Sequence, residues 1–162
     1  MTFWPRAYTV VAAATAETAA FDVWELIAGT TKGLILLGID IGQQTEVGDA
    51  QDEQITYLIK RFAGSYTSGS GGNTGVARPP TDSTAAAATF TAETMNTTQA
   101  VAGSGTLTTL YQSTYNVRAG LYIVYTPEMA PRCAGAEGFV VSLAAPADSV
   151  TFTGTITVGE IP

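Results

Sequence analysis

The chain contains no histidine. That removes the usual general base of serine and cysteine nucleophile systems, the commonest proton shuttle near neutral pH and the commonest transition-metal ligand. There is one cysteine, Cys133, so no disulfide can close within the chain, and a zinc site lacks its preferred ligands. Flanked by Pro131-Arg132 and Ala134-Gly135, Cys133 reads as a small buried or turn residue. Charge is scarce: Asp, Glu, Lys and Arg make up 13% of the residues, against about 25% in ordinary soluble domains. Long apolar runs are missing too. Gly33 to Ile41 and Leu121 to Tyr125 fall far short of the roughly 20 residues that cross a bilayer as a helix. The opening MTFWPRAYTV has a Trp-Pro pair where a signal peptide would carry a basic and then a long apolar region. The expectation is a chain directed neither to a membrane nor to export.

What is present points to contact with protein. Fourteen acidic residues against seven basic ones give a net charge of −7, which repels phosphate backbones and anionic lipid heads and makes nucleic acid and membranes unfavourable partners. Threonine (26 residues) and alanine (25) dominate, so the surface must be built largely of hydroxyls and methyls, which suits permanent contact with other subunits. At 162 residues the chain fits one domain, burying roughly 68–70% of its unfolded surface.

The apolar pattern is that of strands. Ala7 to Thr15 sets Tyr8, Val10 and Ala12 on one face at period two. Phe21 to Ala28, FDVWELIA, alternates more clearly, which predicts one buried and one partly wet face. Leu34 to Ile41, LILLGIDI, is apolar on both faces except at Gly38 and Asp40; it reads as the core strand, with a bulge or close backbone approach at Gly38. Thr89 to Met95, Thr106 to Val117, Leu121 to Tyr125 and Phe139 to Ala144 continue the series. In Val150 to Val158, threonines at 151, 153, 155 and 157 share the face opposite the apolar residues. Pro146 and Asp148 supply a turn before it, making a hairpin or a corner.

Ile55, Leu58, Ile59 and Phe62 have helical spacing, with acids before them and Lys60, Arg61 and Gly64 after. The same residues favour strands, and a partner for Leu34 to Ile41 is needed, so we read a strand. Eight or nine strands with turns between them predict an all-β chain, an antiparallel β-sandwich with jelly-roll wiring, long loops and an extended N-terminal arm. Residues 1–20 would be the arm and first strand, and 21–162 the sandwich, with a long 64–88 loop.

No motif calls for a cofactor. Gly69-Ser70-Gly71-Gly72 and Gly103-Ser104-Gly105 lack the Gly-Lys-Ser/Thr ending of a phosphate loop. The carboxylates Glu46, Asp49, Asp52 and Glu53 are dense enough to raise calcium, with Asp49, Asp52 and Glu53 as the candidate ligands, but their order is not that of an EF-hand loop. A solvated turn or a contact to a neighbour's cation is the plainer reading. A glycan hydrolase using Asp49 or Glu53 needs a carboxylate separation that sequence does not give. Asn96-Thr97-Thr98 matches a glycosylation acceptor and reads as a polar loop.

Several pieces then fall in order: FDVWEL at Phe21 to Leu26, VGDAQDEQ at Val47 to Gln54, RFAG at Arg61 to Gly64, TSGSGG at Thr67 to Gly72 and RPP at Arg78 to Pro80. From about Phe21 to the C-terminus the chain resembles a group of small structural proteins of tailed bacteriophages. The resemblance implies a non-enzymatic virion protein on the capsid surface, a decoration or cement protein, often a trimer, whose partner is the major capsid protein. It carries no catalytic residue. The implied contact surfaces are the arm, with Phe3, Trp4 and Arg6, and the loop from Tyr66 through Arg78, Pro79 and Pro80. An aromatic arm is a ready anchor, and a long glycine-rich loop is costly to order unless something fixes it. The alternative is a tail or fibre component that binds a host-surface glycan or receptor.

Overall fold

The structure is a computed structural model that describes residues 5–45 and 53–162. Two antiparallel sheets pack face to face as a β-sandwich, and no helix is found among the described residues. The strands, in chain order, are β1 (Arg6–Glu17), β2 (Phe21–Ile27), β3 (Gly33–Gln43), β4 (Gln54–Ala63), β5 (Asn73–Gly75), β6 (Ala77–Arg78), β7 (Thr91–Asn96), β8 (Thr106–Asn116), β9 (Leu121–Val124), β10 (Arg132–Cys133), β11 (Gly138–Leu143) and β12 (Val150–Ile161). One sheet runs β10-β3-β12-β1-β6, with β9 also paired to β3; the other runs β5-β7-β2-β11-β4-β8. We call them the first and second sheets. This strand order does not establish the jelly-roll wiring expected from the sequence.

Not one of the described strands is hydrogen-bonded to its neighbour in the chain. Sequential strands usually pair or adjoin about two-thirds of the time, so the local hairpin is absent where it is commonest. The turn at Pro146 to Asp148 is accordingly a corner, carrying the chain from β11 in the second sheet to β12 in the first.

The segment with helical spacing forms strand β4, as expected, but its partner was misjudged. It lies between β11 and β8 in the second sheet, opposite the sheet that holds β3. On β3 the expected irregularity is present. Thr157 faces Gly38 and Val158 faces Leu36, leaving Leu37 as the extra residue of a bulge. A Cβ on Gly38 would stand 2.9 Å from the Ile123 carbonyl oxygen.

The core lies between the sheets. Tyr8, Val10, Leu36, Ile39, Phe152 and Ile156 from the first sheet meet Phe21, Trp24, Leu26, Ile59, Phe139 and Val141 from the second, all buried. Trp24 ties the layers together: its Nε1 donates to the Val10 carbonyl at 3.2 Å, which satisfies the indole's one donor. Its ring fits because β12 has Gly154 there; a Cβ would come within 2.8 Å of it.

A second, smaller core lies on the outer face of the second sheet. Phe62, Val140 and Ala100 are buried there, with Ile27, Tyr66 and Leu107 packed against them. Segments 64–72 and 97–105 roof it, pairing at Thr67 with Val101 and at Ser70 with Thr98. The wet face predicted for β2 is therefore dry: Phe21 through Leu26 are all buried, Asp22 and Glu25 included.

Candidate functional site

The roof explains the glycine-rich loop. Glu25 Oε1 accepts the Tyr66 hydroxyl at 2.7 Å and the Ser68 hydroxyl at 2.5 Å; Oε2 accepts the Gly69 amide at 2.9 Å and the Asn96 side chain at 3.4 Å. The buried carboxylate is thus a hub that takes three donors from the loop and a fourth from Asn96 of β7, as a buried charge requires. Asp22, on the same face of β2, takes the Ala100 amide at 2.6 Å and the Ser142 hydroxyl at 2.6 Å. Burial raises the Asp22 carboxyl above the usual range, and the Ser142 bond only partly offsets it. The glycines serve close packing. A Cβ on Gly72 would meet the Thr94 carbonyl at 2.3 Å, and one on Gly69 the Thr98 carbonyl at 2.6 Å.

Tyr66, singled out as a contact residue, stands in this roof. Its ring stacks on Phe62 at 3.8 Å between centroids, and burial, reinforced by the Glu25 bond, pushes its phenol well above the ordinary value. The other described contact candidates lie on the first sheet. Arg6 opens β1 and is exposed; Arg78, on the two-residue β6, is exposed opposite Thr9 of β1. Pro79 is half-buried and Pro80 exposed as the chain leaves that edge. The structure brings Arg6, Arg78 and the prolines to one edge and sets Tyr66 on the opposite sheet. Phe3, Trp4, Asp49 and Asp52 lie outside the described residues. Glu53, the remaining member of the acidic set, accepts the Ala147 amide. Among the described residues no group of three or more His, Cys, Asp or Glu could hold a metal ion.

Beside Arg78 the outer face turns apolar. Val11 and Val76 are 58% and 57% exposed, and continuing the Thr9–Arg78 register sets them opposite each other. Along β12 the outward threonines 151, 153, 155 and 157 form the ladder read from the sequence.

At the far edge of the same face lies a groove of about 450 Å³, lined by β3, β9 and β12. Its floor is Gly38, its walls are Tyr122 and Val124 on one side and Thr155 and Thr157 on the other, and Asp40 stands within it. Asp40 faces Tyr122 across to β9 and Thr155 across to β12. The sequence reading missed this site, although Gly-Ile-Asp-Ile-Gly at 38–42 carried a signal: a lone charge in a core strand, with glycine two residues away on either side. Compared with known protein families, curated proteins and solved structures, the chain matches none, so its function is argued from these surfaces.

Proposed function

We propose that this protein is a non-catalytic virion component of the tailed-bacteriophage type. It binds the outer capsid shell as a decoration or cement protein and bridges major capsid protein subunits, assembled as a trimer. The observation that carries this reading is the β1–β6 edge, where an exposed Val11–Val76 pair sits beside Arg78 and Pro79-Pro80 on a face that continues into the threonine ladder of β12. Such a face is weakly solvated and loses little when another protein covers it. The buried carboxylates Asp22 and Glu25 are engaged in holding the roof, which suits a rigid module. Repeated on a symmetric lattice, several modest contacts act at high effective concentration, and mass action stabilises the assembled shell.

Particles made without the protein should open at lower temperature or milder osmotic shock than complete ones, and light scattering should give a mass of three chains. Equal robustness of the two kinds of particle would sink the cementing role. One observation, the Asp40 groove, favours a second reading, a tail or fibre component that binds a host-surface glycan.

A further inference from the structure

The Asp40 groove is an assembled set of polar groups that the fold itself leaves unused. Asp40 is exposed, and it has no hydrogen bond or ion pair among the described residues. The same holds for the hydroxyls of Thr155, Thr157 and Tyr122, whereas Thr153, on the same strand, gives its hydroxyl to the Ala12 carbonyl. Tyr122 is 77% exposed and Val124, two residues on along the same face of β9, 66%, so the two together present an apolar wall to solvent.

The backbone explains why these groups converge. The Tyr125 amide donates to the Leu37 carbonyl, so 37 and 125 form a hydrogen-bonded pair. By alternation Asp40 and Tyr122 are a non-hydrogen-bonded pair, the arrangement in which antiparallel side chains lie closest, with Cα atoms about 4.5 Å apart. Thr155 flanks Asp40 on the other side. Along β3 the next outward position toward the C-terminus is Gly42, where a Cβ would meet nothing within 4 Å, and on the other side lies Gly38. The carboxylate therefore stands in a trough bare of side chains, between an aromatic and aliphatic wall and a hydroxyl wall.

We propose that this groove is a binding site for a neutral glycan. A pyranose has an apolar C–H face that packs on Tyr122 and Val124, and a rim of hydroxyls that both donate and accept. Two adjacent sugar hydroxyls donate to the Asp40 carboxylate in charge-assisted bonds. Thr155 and Thr157, each able to give and take a proton, meet the rest of the rim. The volume lies within the range of small-ligand sites, and the net charge of −7, with Asp40 itself, turns away sulfated and sialylated sugars. A cationic side chain would satisfy Asp40 but would offer the threonine hydroxyls no acceptor and leave them to water, which is why a polyol fits better. This inference deepens the second reading above and rests on it; the shell reading stands or falls on particle stability, a separate measurement.

The test is an amide-shift titration of the folded chain with a panel of neutral oligosaccharides of glucose, galactose, mannose and N-acetylglucosamine, alongside sialyllactose and N-acetylargininamide. Shifts at 38–42, 122–124 and 155–157 are expected with at least one neutral sugar and with neither of the last two. Asp40→Ala and Tyr122→Ala should each weaken that binding about tenfold or more, the effect of losing a contact to a charged group or a stacking face. Gly42→Leu keeps every groove group and adds bulk beside Asp40; it should block binding while leaving the melting temperature within a few degrees of wild type. No shift with any neutral sugar would overturn the proposal, as would binding that survives all three substitutions. Tighter, salt-sensitive binding of N-acetylargininamide would overturn it in favour of a cationic protein segment.

Discussion

Replacing Glu25 by alanine tests whether a buried charge holds the glycine-rich roof in place. Four donors converge on the carboxylate, and they differ in what they can do once it is gone. The Ser68 and Tyr66 hydroxyls are partly exposed and can turn to water. The Asn96 side chain keeps its shorter bond to Glu93 at 2.9 Å, whereas the Gly69 amide is buried and is left unsatisfied, at about 1–3 kcal/mol. Removing the charge refunds part of its own desolvation, so the net loss should be about 1–2 kcal/mol, a substantial share of the roughly 5–15 kcal/mol typical of a domain. The loss should also be local first. Segment 64–72 packs on the small core of Phe62 and Val140, outside the main core, so it can lift while the sheets stay together. Urea unfolding should show a lower midpoint, and amide exchange at Gly69, Ser70 and Val101 should accelerate more than exchange at Trp24 or Val141. A stability change under about 0.5 kcal/mol, with Gly69 still protected, would refute the claim that Glu25 is the anchor.

Other consequences are equally open to measurement. Gly138→Ala would drive a Cβ to 1.9 Å from the Leu26 carbonyl and 2.5 Å from the Phe62 ring, and should cost about 3 kcal/mol or more in urea unfolding; a variant as stable as wild type would show that β2 and β11 have room to part. Cys133 is buried, and burial pushes its thiol up to about 11, so in the native protein it should resist iodoacetamide at pH 8 and react once urea is added. Burial raises the Glu160 carboxyl, but its bonds to Thr89 and Lys32 more than offset this and hold it below the usual value. A depressed folded pKa adds stability above the unfolded value, near 4.3, and loses it as pH falls through the folded one. Glu160→Gln should therefore lower the melting temperature at pH 7 and matter little near pH 3. Because no described strand pairs with its chain neighbour, stopped-flow refolding should take milliseconds to seconds; microsecond folding would contradict the topology.

The sandwich and the nine longer of its described strands were legible from alternation and turns, because an amphipathic strand declares its period locally; β5, β6 and β10, of two or three residues each, are too short to show one and were not expected. Even the doubtful segment resolved as read: Ile55, Ile59 and Phe62 do enter cores, on the two faces of one strand. The candidate sites were harder. The glycine-rich loop looked in need of an outside partner because its fixing groups, Glu25 and Asn96, lie far away in the chain, and nothing in Phe21 to Ala28 marks which polar face will be roofed. Likewise Asp40, Tyr122 and Thr155 become a site only through pairings β3–β9 and β3–β12.

By itself, then, the sequence determined the class of structure, the scarcity of charge on the surface, the threonine ladder of β12 and the absence of histidine chemistry. Those are properties of composition and short-range period. Tertiary structure alone decided which strands adjoin, that the outer face of the second sheet is dry, and that one carboxylate stands in an open trough at the edge of the first. The physical reason is that the partners in these contacts are distant in the chain; strand pairing within each sheet and the closure of the two sheets around Trp24 and Gly154 bring them together.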